Sequence, residues 1–81
     1  MGDFGITRDG RLIDLRPMAE GKGVNVWDPG RKLWVYARNM TFGTVTDSIP
    51  IDEAEAKNVM ETGLLPDSVS RRLIREGSLV A

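Results

Sequence analysis

The side chains best equipped to bind something are Trp27, Trp34 and Tyr36, set among Arg31, Lys32 and Arg38. Trp34 and Tyr36 stand two apart, so on a strand they share one side, while Leu33, Val35 and Ala37 take the other. Trp27 joins the aromatic side diagonally across a hairpin. Trp, Tyr and Arg are the residue types that concentrate binding energy at protein interfaces. A strand with two apolar faces either has both covered or keeps one for a partner. We read the second arrangement here, an aromatic face with a basic rim offered to a larger protein. The same mixture suits single-stranded nucleic acid through stacking and phosphate attraction. A chain with 11 Lys+Arg against 12 Asp+Glu lacks the basic excess that nucleic-acid domains carry. Protein is the favoured partner.

Covalent chemistry has little to work with. Neither His nor Cys occurs in the 81 residues. That removes the side chain that titrates near neutrality and the most ready nucleophile. It also removes disulfides and the usual zinc ligands. No Ser stands in a nucleophile-elbow motif. Asp52, Glu53 and Glu55 read as first-turn carboxylates favoured by a helix dipole. Gly21-Lys22-Gly23 lacks the further glycine and the helix of a phosphate loop. The carboxylates do not follow calcium-loop spacing. The expectation is a non-catalytic chain without metal or cofactor.

Arg71, Arg72 and Arg75 form a second cationic group. The run Ser70-Arg71-Arg72-Leu73-Ile74-Arg75-Glu76-Gly77-Ser78-Leu79 resembles the end of the short helix-turn-helix of excisionase- and MerR-like DNA-binding modules. There an Arg-rich helix closes with an acidic residue, Gly and a small-x-apolar exit. The resemblance implies an alternative function, a DNA-binding regulator using Arg71, Arg72 and Arg75. A third alternative is a structural subunit that self-associates through the aromatic face.

The elements that must hold these residues follow from periodicity. One domain is expected, with a β portion over about residues 4–47 and a helical portion over about 52–76. Asp9-Gly10 predicts a two-residue type I′ turn, pairing Arg8 with Arg11, Ile6 with Ile13 and Phe4 with Leu15. The like charges of the first pair argue against that register. Pro29-Gly30 predicts a type II turn with Asp28 facing Arg31. Val24, Val26, Leu33 and Val35 then share one face, and Trp27, Lys32, Trp34 and Tyr36 the other. A further strand is expected over Thr41–Thr46, from its β-branched residues.

Asp52 and Glu55 predict a capping box, with Ala56, Val59 and Met60 inward and Gly63 closing the helix. A second helix follows Pro66, capped by Asp67 or Ser68, with Val69, Leu73 and Ile74 inward and Gly77 at its end. The fold class is therefore α+β, a small antiparallel sheet or partial barrel (two hairpins plus one strand) followed by two short C-terminal helices.

The net charge of −1 conceals a split. Lys22, Arg31, Lys32 and Arg38 face only Asp28 in the central hairpin, whereas Asp52, Glu53, Glu55 and Glu61 face only Lys57 in the first helix. The longest apolar run, Leu33–Ala37, is too short to span a bilayer. The first residues lack the basic and apolar regions of a secretory signal, and absence of Cys fits a reducing compartment. A cytoplasmic location is expected.

Overall fold

The computed structural model describes residues 3–20, 23–37, 40 and 42–77. Strands β1 (Phe4–Ile6), β2 (Leu12–Asp14), β3 (Val24–Asp28), β4 (Leu33–Ala37) and β5 (Ile49–Ile51) form one antiparallel sheet in the order β4-β3-β2-β1-β5. A 3-10 helix spans Arg16–Glu20, and helices α1 (Phe42–Thr46), α2 (Glu53–Thr62) and α3 (Asp67–Arg75) complete the chain order. The α+β class, the antiparallel sheet of two hairpins plus one strand and the two C-terminal helices are as expected, and the sheet is open, not closed. No described helix is long and apolar enough to cross a membrane.

The fifth strand is not where β propensity puts it. Residues 42–46 form a short helix, held by local hydrogen bonds that Thr and Ser favour over sheet pairing. Thr46 Oγ1 donates to the Gly43 carbonyl at 3.1 Å, and Ser48 Oγ to that of Val45 at 2.6 Å. Gly43 therefore serves as an acceptor in a helical turn. The strand is Ile49-Pro50-Ile51, with both isoleucines buried and the proline exposed. Proline has no N–H to give a ladder, which confines it to an edge strand such as β5.

Both hairpin registers differ from expectation, with unequal consequences. In the first, Phe4 pairs with Asp14, Gly5 with Ile13 and Ile6 with Leu12. Gly10 alone takes a positive φ, of 87°, so the turn is a three-residue loop, Arg8-Asp9-Gly10, with a glycine in the left-handed region. The Thr7 hydroxyl holds it, donating to the Asp9 carboxylate and accepting the Arg11 N–H at 3.0 Å. A one-residue slip exchanges faces. Ile13 thus parts from Ile6 and lies opposite Val26, and Arg8 moves out of the ladder, which removes the Arg8/Arg11 clash.

In the second hairpin Asp28 pairs with Leu33, Trp27 with Trp34 and Val26 with Val35. The Asp28 carboxylate accepts the N–H groups of Gly30 and Arg31, and Lys32 closes the longer loop at φ 56°. Gly30 does not adopt the positive φ that a type II turn requires. The ladder is displaced by an even number of residues, so the facing of every side chain survives.

One sheet face carries the main core. Phe4, Ile6, Leu12, Ile49 and Ile51 pack with Ala56 and Val59 of α2 and Val69 and Leu73 of α3. The predicted capping box is present, with the Asp52 carboxylate accepting from Glu55 N at 2.7 Å and Glu55 Oε1 accepting from Asp52 N at 3.2 Å. Gly63 ends α2 at φ 73°. On α3 no side chain caps the start: Asp67 lies inside the first turn, behind Pro66. Ile74, expected inward, is 42% exposed, because the buried stripe is only as wide as Val69 and Leu73.

Candidate functional site: the outer β3–β4 hairpin

The structure divides the aromatic triad. Trp27 and Trp34 are half-buried and pack against the core, as do Met60 and Leu65. Their rings meet edge to face at 5.3 Å between centroids, and Trp34 lies 6.1 Å from Phe4. The indoles thus continue the row of Ile6 and Leu12, and the helices lie over this side of the sheet. Tyr36, on the same side, is 54% exposed. Its hydroxyl accepts the Gly23 N–H at 3.2 Å. A side chain at Gly23 would meet that hydroxyl and ring at 3.1–3.2 Å, so glycine permits the contact.

The uncovered apolar surface lies on the opposite face of the same strand. Leu33 and Val35 are 44% and 42% exposed. An open concavity of about 870 Å³ has Val26, Val35, Ala37 and Met40 in its lining, with Arg11 and Asp28 at the end near the hairpin tip. The two tryptophans, expected on a face offered to a partner, are instead on the covered side. The inversion follows from the fold: the helices cover the face bearing Phe4, Ile6 and Leu12, and the tryptophans belong to it.

Arg31 and Lys32 stand exposed at the tip, Arg31 with only a 3.8 Å pairing to Asp28. The Lys32 ammonium has no partner among the described residues. Arg38 lies outside the described residues. On α3, Arg71, Arg72 and Arg75 are all exposed, with Arg72 paired to Glu76 at 3.5 Å. They sit on a different element from the hairpin and do not join its cations.

Two ion-paired groups that sequence reasoning passed over hold the scaffold. Asp14 is 3% exposed and accepts a two-pronged contact from Arg16, Nε at 2.9 Å and Nη2 at 3.0 Å, together with the Arg16 backbone N–H. Burial pushes the Asp14 carboxyl up, but the Arg16 hydrogen bonds and charge, with help from Asn25, bring it below its usual value. The Arg16 guanidinium also lies 4.9 Å from the Phe4 ring centroid, a cation–π contact. Arg8 joins the first loop to two distant points, donating to Asp47 and to Glu76. The Arg8 hydrogen bond holds the Glu76 carboxyl below its ordinary range, and Arg8 itself is raised by its bonds to Asp47 and Glu76. The i,i+2 spacing of Asp14 and Arg16 is the one signal of these pairs within the sequence.

Among the described residues no three metal-ligating side chains converge. No protein-family model, curated protein or solved structure matches the chain.

Proposed function

We propose that this protein is a small non-catalytic regulator or inhibitor that acts by binding a larger protein through the outer side of the β3–β4 hairpin. The observation that carries the reading is the coincidence, on one hairpin, of Leu33 and Val35 uncovered on the outer face of β4 and the exposed cations Arg31 and Lys32 at the tip. Exposed apolar side chains with charge at the rim are the usual anatomy of an interface, and Val35 also lines the open concavity. Trp27 and Trp34 contribute from beneath, stiffening the strand by packing on the core.

Capture from native lysate tests this with three chains. The wild type and Lys57→Glu, altered on α2, retain the same specific band, whereas Val35→Asp loses it while keeping its fold. Equal capture by all three removes the proposal.

A second reading rests on Arg71 and Arg75, which lie one helical turn apart on α3, exposed and without ion-pair partners among the described residues. That spacing places both on one face, suited to phosphate. It predicts DNA retardation that weakens steeply with salt. Absence of retardation at low salt removes it.

A further inference from the structure

The two edges of the sheet are built differently. β5 is three residues long and carries Pro50, the devices by which proteins protect an edge from further pairing. β4 is five residues long, Leu33-Trp34-Val35-Tyr36-Ala37, without proline or charge. It pairs with β3 alone, and no other described backbone group bonds to its outer side. Half of its N–H and C=O groups therefore face outward, a template for one more strand.

A second copy of the chain is a poor occupant. The antiparallel register that pairs all five residues centres on Val35, and there Leu33 meets Ala37 of the other copy. Leu33–Ala37 carries no charge, so a second copy paired in this way sets no carboxylate beside Arg31 and Lys32. The cations at the tip select acidic residues instead.

We infer that β4 takes up an extended segment of the partner protein as a sixth, antiparallel strand, with aliphatic side chains beside Leu33 and Val35 and carboxylates beside Arg31 and Lys32. This rests on the protein-binding reading above and specifies its mode. Main-chain hydrogen bonds supply affinity in such strand addition, and alternate side chains supply selectivity. Because the added strand runs against β4, its carboxylates fall at its C-terminal end, next to the tip. The concavity beside Val26 and Val35 receives its aliphatic residues on that face.

The test uses the full chain and short synthetic peptides with amidated ends. The probe is Thr-Val-Thr-Val-Thr-Glu-Glu, with controls that replace both glutamates by lysine or methylate alternate backbone nitrogens. The acidic probe is expected to bind and shift the amide resonances of residues 33–37. The lysine peptide should bind about tenfold more weakly, the scale of two partly exposed ion pairs. Arg31→Glu/Lys32→Asn should reverse that order, Asn being chosen because it tolerates the positive φ at Lys32. Methylation should abolish binding.

Failure of the acidic probe to bind, or equal binding of the methylated one, overturns strand addition. So does protection of residues 33–37 by concentration-dependent dimerisation without peptide. Either failure leaves the capture experiment standing: if Val35→Asp still loses its band, the hairpin binds through side chains alone and only this inference falls.

Discussion

Trp27 and Trp34 face each other across the β3–β4 ladder as a directly paired couple, their rings edge to face at 5.3 Å. This pair joins the hairpin to the core, because Trp34 in turn reaches Phe4. It makes the aromatic side structural and leaves the opposite side of β4 for contact.

Trp34→Ala should therefore act on stability before it acts on binding. Removing a half-buried indole that packs on two other rings is expected to cost about 2–3 kcal/mol. Val35→Asp, on the uncovered face, should cost about 1 kcal/mol or less, the scale of a strand-propensity change. Urea unfolding of the two variants checks the order. Equal losses would mean that the two faces are alike in burial.

Gly5 supplies a sharper steric test. A Cβ there would lie 2.9 Å from Ser48 Oγ, which is itself held by the Val45 carbonyl. Gly5→Ala should destabilise by about 1–3 kcal/mol through overpacking. Adding Ser48→Ala removes the closest atom, leaves the neighbours at 3.4 Å, and should recover part of the loss. Additive costs in the double variant would show that Ser48 does not sit over β1.

Acid should weaken the fold through Asp14 and Glu76. Both carboxyls are depressed in the folded chain, so their contribution is complete above their unfolded pKa values. It is lost as the pH falls through the lower, folded values. Measured by denaturant midpoint, stability should begin to fall as the pH drops below the ordinary Glu value of 4.5 and fall further below the ordinary Asp value of 3.8. Asp14→Asn should be less stable at neutral pH and show a shallower acid limb. An unchanged acid limb would remove Asp14 from the account.

The capping box gives a local check on α2. Asp52→Ala is expected to cost about 1 kcal/mol, because Glu55 N loses its acceptor. The change should appear as an earlier urea midpoint with an unchanged slope. No change would mean that the first turn of α2 contributes little to the cooperative fold.

Much of this architecture is legible in local residue patterns. Asp52, Glu55 and Gly63 mark the bounds of α2, and alternation along Leu33–Ala37 sorts β4 into two faces. What local pattern does not carry is which face the helices choose. That choice depends on Phe4, Ile6 and Leu12, whose common facing is set by the Thr7–Gly10 turn, and a one-residue difference there reverses the partners of Ile13. Asp9-Gly10 reads as a two-residue turn until the Thr7 hydroxyl is placed in it. Pro50 hides β5 in the same way, since its cost to a strand vanishes only at an edge.

The outer edge of β4 can be examined without any partner, by amide hydrogen exchange on the isolated monomer. Alternate N–H groups along residues 33–37 should exchange quickly, while those bonded to β3 stay protected. Uniform slow exchange along all five would mean that the strand is already covered, and the proposed contact surface would not exist.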